Sequence, residues 1–66
     1  MSKPKYSIGY TTEIVLRQHN YKVKVVDMGQ DEDGTWYYEC KALNVSPWYQ
    51  HITREFSEEQ LTRASK

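Results

Sequence analysis

An all-β fold, a small and strongly bent barrel of about five strands with one short helical turn near the C-terminus, is what this 66-residue sequence predicts. Three observations point to it. Apolar residues recur at every second position in several segments, an acidic "GQDEDG" stretch sits between two of them, and "SEEQ" near the end has the form of a helix start. Strands this short, joined by tight turns, would leave one face bare as a flat sheet, whereas a bent one can cover it.

The first strand is predicted over residues 6–16. Tyr6, Ile8, Tyr10, Thr12, Ile14 and Leu16 fall on even positions with mostly polar residues between them, and only Val15 breaks the pattern. Gln18-His19-Asn20 then reads as a turn. Tyr21, Val23 and Val25 alternate with Lys22 and Lys24 in a second strand, and the alternation slips at Val25-Val26, where a β-bulge would bend it. The run from Gly29 to Gly34 is the strongest turn signal in the chain, because Asp-Gly readily takes the positive φ angles of a tight hairpin.

A third strand follows over residues 35–43, with Trp36, Tyr38, Cys40 and Ala42 on its core face. "NVSP" interrupts it. Residues 48–56 resume as a fourth strand, with Ile52 and Phe56 inward, and Arg54 on the inward parity near an end where its head can reach water. Ser57 and Gln60 form a capping box that starts a helical turn ending at Leu61, and residues 62–66 either pair as a short closing strand or fray.

Length and composition bound the rest. Residues 1–66 make a single domain, ordered over roughly 6–62, since a shorter piece could not bury enough surface to stand alone. A core this small contributes only about 3–5 kcal/mol net, which favours aromatic packing, self-association or a partner as support. Nine Lys+Arg balance nine Asp+Glu, so the whole chain lacks the basic footprint of a tight phosphate-backbone binder. Cys40 is the only cysteine, which excludes an internal disulfide and a four-cysteine zinc site. With no apolar run of signal-peptide or membrane-spanning length, the expected setting is the cytoplasm, with no membrane partner. Asn44-Val45-Ser46, followed by Pro47, reads as loop sequence rather than as a glycosylation acceptor.

The segments "YSIGYTTEIVLR", "YKVKVVDMGQDEDGTWYYECKA" and "REFSEEQL" together resemble the SH3-like small β-barrels of the Tudor, KOW and small bacterial single-domain types, across residues 6–61. The resemblance implies a binding function: methylated Lys or Arg in a Tudor cage, RNA or ribosomal and polymerase surfaces for KOW domains, and proline-rich peptides for SH3 domains. Trp36, Tyr37 and Tyr38 stand where a Tudor-like strand carries aromatics, but strand parity puts Tyr37 on the face opposite Trp36 and Tyr38. The "ALYDY" segment of peptide-binding SH3 domains is replaced by "YSIGYTTE".

Six of the nine aromatic residues fall within residues 33–56. Trp36 and Tyr38 are needed as core, while Tyr37, Trp48 and Tyr49 are expected outward or on a loop, where large rigid side chains serve binding. The predicted function is a non-enzymatic protein-interaction or regulatory module, of the kind a small phage-encoded inhibitor would be. Its partner-binding set is Tyr37, Trp48 and Tyr49, with Glu39, His51 and Glu55 as the polar rim. A homo-oligomer burying the same face is equally consistent. The alternative is nucleic-acid or anionic-ligand binding through Arg17, Lys22, Lys24, Lys41 and Arg54, joined by His19 and interleaved with Tyr37 and Tyr49.

No catalytic, cofactor or metal role is assigned. Cys40 lies between Tyr38 and Ala42 on the core face, where a thiol behaves as a small hydrophobe, so pairing with His19 or His51 is not expected. Asp31, Glu32 and Asp33 lack the spacing and distal Glu of a calcium loop, and two isolated histidines do not make a zinc site.

Overall fold

The computed structural model describes residues 3–49 and 52–65. Four strands, β1 (Thr11–Leu16), β2 (His19–Gln30), β3 (Trp36–Ala42) and β4 (Thr53–Ser57), form one antiparallel sheet in the order β1-β2-β3-β4, followed by a helix, α1 (Glu58–Ala64). β2 is the spine. It is the longest strand, 12 residues, and it pairs with both β1 and β3.

Several local signals operate as expected. The β2–β3 register shifts between Val25 and Asp27, so the bulge falls where the alternation slips; Val23 and Val25 face the core before it, and Met28 packs against the core after it. At the β2–β3 hairpin, Gly34 takes φ +89° and donates its N–H to the Asp31 carbonyl, while the Asp33 carboxylate accepts from the Thr35 N–H at 2.9 Å. β3 places Tyr38 and Cys40 in the core with Trp36 and Ala42 at its margin. Ser57 and Gln60 cap α1 reciprocally, at 3.2 and 3.0 Å.

Other expectations are corrected. The first strand begins at Thr11, because Gly9 turns at φ +97° and the Tyr10 N–H closes a turn on the Ser7 carbonyl. Tyr6 stays buried, but Ile8 and Tyr10 are carried to the surface. The β1–β2 turn is Arg17-Gln18, one residue earlier than predicted, and both residues have positive φ, at 50° and 68°. Residues 47–49 form a 3-10 turn instead of strand, with the Ser46 hydroxyl accepting from the Trp48 N–H, so β4 starts only at Thr53. α1 runs two turns, to Ala64, rather than one. In place of a fifth strand there is a single bridge from Ser65 to Ile14, and the described residues form an open sheet.

α1 packs on β1, β3 and β4, so Leu61 seals one end of the sheet's core face together with Tyr6, Ile14, Tyr38 and Phe56. Tyr38 is the centre of this end, 0% exposed. Its hydroxyl donates to the Glu58 carboxylate at 2.7 Å and accepts from the N–H groups of Lys5 and Tyr6. The buried polar tip is therefore fully satisfied, and it ties the N-terminal segment to the helix. The Tyr6 ring meets Tyr38 edge-on at 5.3 Å, and its hydroxyl lies 2.8 Å from that of Thr62.

Candidate functional site

At the other end of the sheet no helix covers the core face. The last residues of β1, the first of β2, the last of β3 and the first of β4 come together there, and between them lies an open groove of about 680 Å³. Its floor is a continuation of the hydrophobic core: Ile14, Val23, Cys40 and Phe56 are buried, and Leu16, Tyr21 and Ala42 pack against them. The β3–β4 connection forms one wall, contributing Val45, Tyr49 and Ile52. That connection is anchored by Leu43, whose N–H donates to the Lys22 carbonyl, and by Asn44, whose amide oxygen accepts from the Lys22 N–H at 3.0 Å.

Large apolar side chains stay in water at this end. Trp48 is 78%, Tyr49 61% and Ile52 54% exposed. Of the groove-lining residues only Arg17 and Arg54 carry full charges, with His19 beside them and no carboxylate among the described residues that line it. Arg54 stands opposite Cys40 in the ladder, on the core side of β4, and its guanidinium lies 5.7 Å from the centre of the Phe56 ring.

The outward face of the sheet is polar and sorted by sign. Lys24 and Lys41 are direct cross-strand neighbours, with Lys22 two residues along and opposite Glu13. The next row is acidic: Asp27 pairs with Glu39, and Glu39 with Glu55. Tyr37 follows in a shallow depression with these carboxylates and Asp31. The surrounding negative charge, Asp31 foremost, raises the Tyr37 phenol above its ordinary value.

The expected partner-binding set therefore falls into two groups. Tyr37, Glu39 and Glu55 meet on the outer face, Tyr49 lines the groove with Trp48 preceding it in the 3-10 turn, and His51 lies outside the described residues. The anionic-ligand set divides too: Lys22, Lys24 and Lys41 share the outer face, while Arg17 and Arg54 line the groove. Tyr37 and Tyr49 are not interleaved with the lysines. Leu16 and Tyr21 pack against the core while bordering the groove, and Ile52, expected inward, is exposed on its wall. The signal was the pairing of Ile52 with Arg54 on one parity, where the apolar pattern runs out into charge.

Cys40 forms part of the groove floor. Burial pushes its thiol up to about 11, so it is protonated at neutral pH and poorly nucleophilic. No group of three or more metal-ligating side chains occurs among the described residues, and no described helix is long and apolar enough to cross a membrane. Compared with known proteins, the chain matches no family model, no curated protein and no solved structure.

Proposed function

We propose that the chain is a non-enzymatic protein-interaction module that grips its partner at the open end of the core face. One observation carries this reading. Tyr49 and Ile52 stand exposed on the wall of a groove whose floor is the hydrophobic core itself, and Trp48, exposed in the same 3-10 turn, adjoins Tyr49 in the chain. Exposed aromatics bordering a concave apolar surface are the composition and shape of a binding hot spot. The finer fold in this reading is an SH3-like barrel. Supporting it are the bulged long strand, the Ser65–Ile14 bridge, and a common cleft lined by Val15 and Leu16 of β1 and Arg54 and Phe56 of β4 beside α1. A cytoplasmic regulator or inhibitor is the role that such a module fills.

Nucleic-acid binding through Lys22, Lys24 and Lys41 is the weaker reading, because the adjoining row of Asp27, Glu39 and Glu55 repels phosphate. The test is capture from lysate of the source with and without nuclease, using the wild-type chain and Trp48→Ala/Tyr49→Ala. The reading expects a protein band that survives nuclease and is lost in the variant. A band lost on digestion and abolished by Lys24→Glu/Lys41→Glu would replace it with the nucleic-acid reading. A mass that rises with concentration in the wild type alone would make the partner a second copy.

A further inference from the structure

The groove's charges say what kind of segment it takes. A purely apolar ligand would leave the two arginines idle, and a basic one would meet like charge with no carboxylate in the lining to offset it. None of the described carboxylates lines the groove, and Asp27, Glu39 and Glu55 stand in a row on the opposite face. The only ion pair among the described residues, Arg63 with Glu59, is on α1, which leaves the Arg17 and Arg54 guanidinium groups without a carboxylate partner among them. The Arg54 guanidinium lies over the Phe56 ring, and its fork of N–H donors suits a planar acceptor such as a carboxylate.

The backbone adds an independent sign. Arg17 and Gln18 form the two-residue β1–β2 turn with φ of 50° and 68°. Asn-Gly would take this geometry readily, whereas ordinary L residues are strained in it. The turn places Arg17, rather than the Asn or Gly that its geometry favours, at the groove's rim.

We propose that the groove binds an acidic peptide segment of a partner protein. In this arrangement an apolar side chain of the segment enters between Leu16, Tyr21 and Ile52, and flanking carboxylates are taken by Arg17 and Arg54. The volume, about 680 Å³, is within the roughly 300–1,000 Å³ of ligand pockets and suits one or two side chains. This specificity rests on the protein-interaction reading above, and the test separates the two.

The full chain is used to select from a random-peptide display library, and the enriched peptides are made with a fluorescent label for titration. The expected consensus is an apolar residue flanked by Asp or Glu. Its affinity should fall about tenfold or more in Arg54→Gln, and again in Arg17→Asn/Gln18→Gly, a change that suits the turn and so keeps the fold. It should also weaken as salt is raised. Enrichment of peptides without acidic residues that still need Tyr49 would overturn the acidic specificity and leave the interaction reading standing. No enrichment, with capture from lysate equally indifferent to Tyr49, would overturn both. Two other outcomes contradict the inference outright: arginine-dependent binding to phosphatidylserine vesicles but not to any peptide, or an arginine-dependent rise in mass with concentration.

Discussion

The two ends of the core face are built from the same four strands and behave as opposites. At the closed end, Leu61 of α1 and Tyr6 of the N-terminal segment cover Ile14 and Tyr38, and the one polar tip buried there has its partners in Glu58, Lys5 and Tyr6. At the open end, Leu16, Tyr21 and Ala42 continue the same apolar face, but what stands over them is solvent and the exposed side chains of Tyr49 and Ile52. The first end completes its interactions within the chain, and the second leaves them incomplete. In so small a domain, where a few kcal/mol decide folding, apolar side chains left partly exposed at the margin of the core are a cost that a partner can remove.

That contrast can be broken most decisively at the closed end. Tyr38→Ala or Leu61→Ala is expected to cost about 3–5 kcal/mol, enough to unfold the chain, with loss of the cooperative thermal transition seen by circular dichroism. The turn comes next. Arg17→Asn/Gln18→Gly should raise stability by about 1 kcal/mol and the melting temperature by roughly 4–8 °C for a domain this size, while binding at the groove weakens. A stabilised chain with undiminished binding would separate the strain from the function.

A smaller effect follows from Glu58. The Lys5 N–H, and after it the Tyr38 hydroxyl, hold its carboxyl below the ordinary value. A lowered folded-state pKa gives stability that is complete above the unfolded carboxylate value, about 4.3, and is lost as pH falls through the folded value. Acidification from pH 7 to pH 3 should therefore lower the melting temperature of the wild type more than that of Glu58→Gln. An equal drop in both would take the network out of the account. Smallest of all, Trp48→Ala should shift stability by no more than about 0.5 kcal/mol in either direction, since this ring is largely in water.

The features legible in the sequence are those set within a few residues. The Gly34 turn, the bulge at Val25 and the Ser57–Gln60 capping box each depend on local backbone chemistry, and each stands where the residues indicate. The features that escaped depend on what the chain meets later. Ile8 and Tyr10 keep the two-residue alternation of β1, yet the turn at Gly9 leaves both side chains at the surface, although the Tyr10 carbonyl still accepts from the Val25 N–H of β2. Arg17-Gln18 carries none of the Gly, Asn or Asp that announce a positive-φ turn, so the polar run Gln18-His19-Asn20 reads as the turn, one residue late.

The candidate site was legible by composition and not by geometry. Surplus aromatics mark residues 33–56 as a binding region, but parity sends Tyr37 to the outer face, and of the 3-10 turn's two rings it is Tyr49 that lines the groove. The arginines were grouped with the lysines as one basic set. Only the register and the groove separate them, since charge alone does not say which side of a sheet a residue serves.

The central claim is that the open end binds and the closed end folds. Tyr49→Ser/Ile52→Ser tests it most directly, with partner capture and melting temperature measured on the same preparation. Both side chains are more than half exposed, so the melting temperature is predicted to stay within a few degrees of the wild type while capture is lost. Undiminished capture at an unchanged melting temperature would contradict the account, and so would a collapse of the fold, which would place these residues in the core.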